Sequence, residues 1–211
     1  MYLSRVEIDL NNRQKMRDLT HLGAYHNWVE ESFPAEMASG DRSRKLWRVD
    51  TLNDRQYLLL VSQTAPDLQA LEKYGLPGTA ETKSYDDFLA SLKAGQRARF
   101  RVTLNPVMSK SNRAQGRGRV MPHVTADQQA AFLLARAEKN GFNLEQDAFT
   151  IVERGYGLLR KKHERPLRLI KTVYEGVLTI TDADQFRQTL TEGFGKKKAY
   201  GFGMMTIIPL D

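Results

Sequence analysis

Over residues 1–9 apolar and polar positions alternate. Tyr2, Ser4, Val6 and Ile8 fall on one side and Leu3, Arg5 and Glu7 on the other, the period of two that predicts a half-buried strand. The period then lengthens: Leu19, Leu22, His26 and Val29 recur at helical spacing, with Asp18 as the expected cap and Phe33-Pro34 as the stop. Lys45 to Val49 and Gln56 to Ser62 predict two strands joined through the turn residues of TLNDR. Leu68, Leu71 and the run from Tyr85 to Leu92 predict short helical pieces around a Gly/Pro break at Gly75 to Gly78. The first half therefore reads βαββα.

A second cycle opens at Gln96. RARFRVTLNP sets Arg97, Arg99 and Arg101 against Ala98, Phe100 and Val102, a strand with one basic face that ends at Pro106. Ser109 to Val120 is polar, basic and glycine-containing, the pattern of a mobile loop. Thr125 to Asn140 predicts a helix: Thr125 and Gln128 form a capping box, Ala131, Leu134 and Ala135 share a face, and Gly141 supplies the stop. Phe149 to Leu159 and Leu167 to Ile180 predict a hairpin around the basic turn RKKHERP. Asp182 or Asp184 starts a last helix reaching Thr191, and Met204 to Ile208 closes the chain as a strand. This half reads βαββαβ, the ferredoxin-like order. The expected fold is α+β, two tandem ferredoxin-like (RRM-like) domains over residues 1–93 and 96–211, with the duplication resting on element order and not on repeated sequence.

Composition narrows the chemistry. A chain of 211 residues has room for one large domain or two small ones. With no cysteine, disulfides, thiolate zinc sites and cysteine nucleophiles are all excluded, which points to an intracellular, cytoplasmic protein. No apolar run approaches the ~20 residues of a membrane span, and the strand-like start does not read as a signal peptide.

Charge is segregated within the net +7. No acidic residue occurs from Phe88 to Ala126, and Glu164 is the single acid between Arg154 and Lys171, so the rest of the chain is net acidic. Clustered positive charge on an otherwise acidic protein is the footprint of a polyanion, and nucleic acid is favoured over a membrane surface because no basic amphipathic helix accompanies the charge. Near the C-terminus, GFGKKKAYGFG sets Gly193/Gly195 and Gly201/Gly203 around Lys196, Lys197 and Lys198. Glycines allow a phosphate to approach the main chain, and successive backbone N–H groups form an anion-holding concavity. The spacing fits neither a dinucleotide fingerprint nor a P-loop, and too little chain follows for a βαβ unit. The bland alternative is a flexible loop with solvated lysines.

The segments MYLSRVEIDL, RKLWRVD, RFRVTLNPV, YEGVLTI and the double Gly-x-Gly loop fall in an order that resembles the CasE family of type I-E CRISPR systems, a branch of the Cas6 superfamily of repeat-processing endoribonucleases. The resemblance implies metal-independent cleavage of the repeat hairpin in the precursor transcript, with no cofactor. A 2′,3′-cyclic phosphate and a 5′-hydroxyl would result, and the product would be retained among the other Cascade subunits. His26 matches the family's catalytic histidine through HNWVEESFP, with His21 as the nearby rival. Where some relatives carry a tyrosine three residues earlier this chain has Gly23, and Tyr25, immediately before His26, is the second catalytic candidate. Histidine suits proton transfer as acid or base, since its reference pKa of about 6.5 keeps both forms accessible. By helical spacing alone His26 would fall beside Leu22 and Val29, where a packed core histidine is the competing reading.

RNA contacts are expected from the glycine loop and from Arg160, Lys161, Lys162, Arg165 and Arg168 at the hairpin, which corresponds to the family's stem-contacting hairpin. Arg113, Arg117 and Arg119 form a second strip, and Arg136 on the capped helix is a further candidate. No H-E-x-x-H or clustered acidic pattern suggests a catalytic metal. A non-catalytic RNA-binding subunit with the same fold is the alternative, and His26 discriminates, since a pure binder does not need it.

Overall fold

The computed structural model describes residues 1–110, 119–160 and 164–210. In chain order the first half runs β1 (Tyr2–Glu7), α1 (Arg13–Asp18), α2 (Leu22–Glu31), α3 (Pro34–Ser39), β2 (Lys45–Leu52), β3 (Arg55–Ser62), α4 (Leu68–Leu71), β4 (Glu81–Ser84) and α5 (Asp86–Ser91). The second half runs β5 (Arg97–Leu104), β6 (Val107–Lys110), β7 (Arg119–Pro122), α6 (Ala126–Ala137), β8 (Phe142–Asn143), β9 (Phe149–Leu159), β10 (Leu167–Ile180), α7 (Ala183–Glu192) and β11 (Met205–Pro209).

The first sheet is antiparallel in the order β2-β3-β1-β4. In the second, β11 pairs β5, β5 pairs β10, and β10 pairs β9 along most of its length and β8 at its end. With β9 as the outer partner, both sheets have the strand order of a ferredoxin-like fold, and the chain is two such units in tandem. The β2–β3 hairpin closes on Asn53 and Asp54, both in the left-handed region (φ 50 and 61). That conformation suits a two-residue hairpin turn and is tolerated by Asn and Asp. The β9–β10 hairpin carries one register shift, opposite Val173/Tyr174, which bends the long ribbon.

Three expectations change. The His26 helix begins at Leu22 and is capped by His21, while Asp18 ends the separate short helix α1, which Asn12 caps. The flanks of the expected 109–120 loop form the two-stranded β6–β7 hairpin; residues 111–118 lie outside the described residues. On α6 the capping box of Thr125 and Gln128 forms as expected, but the buried face is Gln129, Phe132, Leu133 and Ala137, with Ala131 and Ala135 exposed.

The two units share apolar packing. Leu46, Val61, Tyr85, Leu89 and Leu92 of the first lie in one buried cluster with Phe100, Val102, Phe186, Phe194 and Met205 of the second. A second cluster, with Val6, Ile8, Leu58 and Leu60 from the first sheet, receives Trp28 and Val29 of α2.

Candidate functional site

Helix α2 is fixed at both ends. The His21 imidazole Nδ1 accepts the Ala24 N–H at 3.3 Å, one of the donors a helix start leaves free. The indole N–H of buried Trp28 donates to the Leu71 carbonyl at 3.0 Å. With Trp28 and Val29 facing the sheet, His26 sits two positions before Trp28, at the rim of a cleft and half-buried. The cleft measures about 230 Å³, and its lining includes His26, Glu30, Arg42, Arg44, Lys45 and Ala199. Tyr200, from the glycine loop, presents its ring to His26 edge-on with centroids 5.4 Å apart. Burial holds the His26 pKa below its ordinary 6.5; Glu30 opposes the shift, and Arg42 and Lys45 reinforce it. The imidazole is therefore mostly neutral at pH 7, competent to accept a proton.

Tyr25 stacks its ring on Trp47 (5.6 Å between centroids) and borders a different cleft, with Leu22, Gly201 and Phe202. Burial raises its hydroxyl pKa. At Gly23 a Cβ would come within 2.9 Å of the Arg160 carbonyl oxygen, so the chain packs against the end of β9 where a tyrosine would need space. His21, the rival histidine, has its Nδ1 committed to the helix start. His163 lies outside the described residues.

The glycine loop divides into a packed part and an exposed part. Gly193, Gly201 and Gly203 abut Leu46, the Trp47 ring and the Phe194 carbonyl respectively, and the Trp47 indole N–H donates to the Ala199 carbonyl at 3.0 Å. Gly195, Lys196 and Lys197 are exposed, and Lys197 adopts a left-handed backbone. Lys196 reaches the Ser109 hydroxyl at 3.0 Å, and Lys198 donates to the Gly193 carbonyl at 3.2 Å. Of the loop expected to meet an anion, only Gly195–Lys197 is exposed.

Arg160, at the end of β9, and Arg165 and Arg168, entering β10, are exposed. The hairpin meets α2 closely: a Cβ at Gly157 would fall 2.6 Å from Leu22, and Leu159, Leu169 and Phe202 pack with Leu22 and Tyr200. Hairpin, helix and glycine loop therefore converge. Arg119 is exposed on β7. Arg136 folds its guanidinium over Phe132, 3.5 Å from the ring centroid, and donates to the Phe132 carbonyl. Arg113, Arg117, Lys161 and Lys162 lie outside the described residues. Sequence reasoning did not single out Tyr200, Arg42, Arg44 or Trp47. Arg44 and Trp47 sit within RKLWRVD, and Tyr200 is an aromatic inside the glycine loop, so these three stood in marked segments without a marked role, while Arg42 lies just before one.

A family model described as CRISPR associated protein matches residues 1–209. The chain belongs to this family. Over 225 aligned residues it is 28% identical to the CRISPR-associated endoribonuclease Cse3 of Thermus thermophilus, covering 99% of this chain and all of the relative. A solved structure of Thermus thermophilus Cse3 bound to an RNA representing a pre-cleavage complex superposes with a TM-score of 0.79 at 26% identity, covering 99% of this chain and 98% of the other. The CRISPR-associated protein Cas6e from Escherichia coli str. K-12, 22% identical with full coverage of both chains and a TM-score of 0.62, shares the fold. The family's two-unit frame is the one that carries His26, the hairpin and the glycine loop here to one place.

Proposed function

We propose that this protein is an endoribonuclease that binds and cuts the CRISPR repeat hairpin of a precursor transcript and remains on the product as a subunit of a Cascade complex. The similarity to Cse3 over nearly the whole chain, including a structure of that protein on a pre-cleavage RNA, supports the activity and the substrate. A likeness of fold to a chain of the CRISPR RNA-guided surveillance complex, with a TM-score of 0.69, agrees with the assembly. The observation that carries the reading is the position of His26: a half-buried, mostly neutral imidazole at the mouth of a cationic cleft, where the first unit's helix meets the second unit's glycine loop.

In the proposed reaction the 2′-hydroxyl gives up its proton to a base and attacks the adjacent phosphorus in line, and the bond to the 5′ oxygen breaks as that oxygen takes up a proton from an acid. His26 supplies one of these proton transfers, Gly195–Lys197 and the cleft cations stabilise the phosphate charge, and the products are a 2′,3′-cyclic phosphate and a 5′-hydroxyl. No metal is assigned a step, and cleavage in EDTA tests this. Exposed Arg160, Arg165 and Arg168 follow the stem, whose A-form major groove is too deep and narrow for side-chain reading, so shape and phosphates carry recognition.

The test is incubation of the purified protein with repeat RNA in EDTA. Wild type is expected to cut at one position and leave a cyclic phosphate, while His26→Ala cuts roughly 10²-fold or more slowly with affinity nearly unchanged. Tight binding without cutting by wild type would establish the non-catalytic RNA-binding subunit instead.

A further inference from the structure

The segment between α3 and β2 holds the cleft's cations in an organised way. Gly40 ends α3 with a left-handed residue, and the chain returns through Arg42, Ser43 and Arg44 into β2. Glu36 on α3 pins that return: its carboxylate accepts the Ser43 N–H at 2.9 Å, the Ser43 hydroxyl at 2.8 Å, the Thr64 hydroxyl at 2.8 Å and the Lys45 amine at 2.7 Å. Burial opposes ionisation of Glu36, yet these bonds outweigh it and bring the pKa down to about 2. The anchored Ser43 thereby sets its neighbours, Arg42 and Arg44, at the wall of the His26 cleft.

The three cations there are not equivalent. Lys45 has only 2% of its side chain exposed and is neutralised by Glu36, with Glu30 at 3.8 Å. Arg42 pairs with Glu30, also at 3.8 Å. Arg44 is exposed and makes no ion pair among the described residues. Across from it, burial and the charge of Arg44 hold the Lys198 amine below its ordinary pKa, with Glu192 partly compensating. Arg44 lines the cleft with His26 without a carboxylate partner among the described residues, and its charge disfavours that of Lys198, so an anion bound at Arg44 would relieve both cations.

We infer that Arg44 is a catalytic residue of the proposed cleavage, its guanidinium holding the non-bridging oxygens of the scissile phosphodiester against His26. This rests on the reading of the site as an endoribonuclease centre and names which cation meets the reacting phosphate. A planar, always-charged fork suits a phosphate whose charge rises as the 2′ oxygen attacks, and its anchored loop reduces the reorganisation needed at that moment.

Single-turnover cleavage of the repeat hairpin by wild type, Arg44→Ala and Arg44→Lys tests the assignment, with Arg5→Ala, an exposed arginine paired to Glu81, as control. Affinity is read in parallel on a hairpin with 2′-deoxyribose at the cleavage nucleotide. Arg44→Ala is expected to cut about 10²–10³-fold more slowly, with affinity for the uncleavable hairpin within about threefold of wild type because the other phosphate contacts remain. Arg44→Lys should recover part of the rate, and the acidic limb of the pH–rate profile should stay in place, since Arg44 is not among the groups that shift His26. If Arg44→Ala cuts at the wild-type rate while His26→Ala does not cut, the assignment falls and the endoribonuclease reading stands. If wild type itself does not cut, the reading falls and takes this assignment with it.

Discussion

Gly201 and Gly195 share a positive φ and differ in what surrounds them, so substituting each with alanine separates packing from the positive-φ penalty. Both are left-handed, with φ +79 and +85. Alanine in that region costs about 1–2 kcal/mol at either position. At Gly201 the new Cβ would lie 2.6 and 2.8 Å from two atoms of the Trp47 ring, whereas at Gly195 its nearest neighbour is Leu104 at 3.6 Å, ordinary contact. Trp47 cannot retreat cheaply, being buried, stacked on Tyr25 and bonded to the Ala199 carbonyl. Overpacking of this kind costs about 1–3 kcal/mol beyond the backbone penalty. Because the backbone penalty is common to both, the difference between the variants reports the steric part. At roughly 2–4 °C per kcal/mol for a chain of this size, Gly201→Ala should melt roughly 2–12 °C below Gly195→Ala. Reversible thermal unfolding by circular dichroism measures this gap, and tryptophan fluorescence, from Trp28 and Trp47 alone, reports whether the ring moved. Equal melting temperatures, or a lower one for Gly195→Ala, would refute the division of the loop into a packed part and an exposed one.

Two further outcomes follow from the electrostatics. In an NMR titration the His26 imidazole should protonate below 6.5; Glu30→Gln should move the midpoint lower still, by removing the one charge that favours the cation, and Arg42→Ala should move it higher. Movement of both variants in one direction would contradict the assigned causes. Affinity for the repeat hairpin should fall log-linearly with salt, and replacing Lys161 and Lys162 together by alanine should flatten the slope by up to about two units if both meet phosphates. An unchanged slope removes those two lysines from the interface.

The parts of the fold visible in the sequence were those in which side-chain chemistry matches backbone need. The β9–β10 hairpin shows as two apolar-rich runs around a polar turn, and the α6 capping box satisfies two helix-start donors with Thr125 and Gln128. The buried face of α6 was misread because Gln129 is polar yet almost fully buried. Its side chain donates to the His123 carbonyl and accepts from Arg154, and its backbone carbonyl accepts the Tyr174 hydroxyl, pairings that hydropathy does not encode. Strand β4, sequence ETKS, went unseen for the complementary reason: it is a short edge strand whose residues are largely exposed. At the His26 helix, Leu22 and Val29 lie on the helix as the spacing predicts, but Leu19 falls on the end of α1 and the cap was wrong, since histidine is an uncommon N-cap and Asp18 a favoured one. Within the site, the glycine loop announced itself by composition. Arg44 did not, because its distinction is having no paired carboxylate among the described residues, a condition that exists only once Glu36 and Glu30 have taken the neighbouring cations.

The placement of the proposed site across two units has a mechanical requirement. Misplacement of a catalytic group by about 1 Å can cost on the order of 10²-fold in rate, and domains joined by an ordinary interface are expected to move relative to each other. Here the first unit supplies His26 and Arg44, and the second supplies Tyr200 and the exposed Gly195–Lys197 segment. The seam is closed by more than apolar contact. Trp47 of β2 bonds to the loop at Ala199, and two residues after Leu46 of the shared cluster, buried Arg48 donates to the carbonyls of Arg101 (2.8 Å) and Met204 (3.0 Å) and to the Thr206 hydroxyl (2.7 Å), while Asp50 balances its charge at 2.6 Å. Sliding one sheet past the other would break the three bonds that Arg48 makes across the seam and leave a buried cation short of partners, which opposes the motion. Strand β2 thus lines the cleft with Lys45, packs the core with Leu46, grips the glycine loop with Trp47 and locks the sheets with Arg48, four consecutive residues that hold the two halves of the site in register.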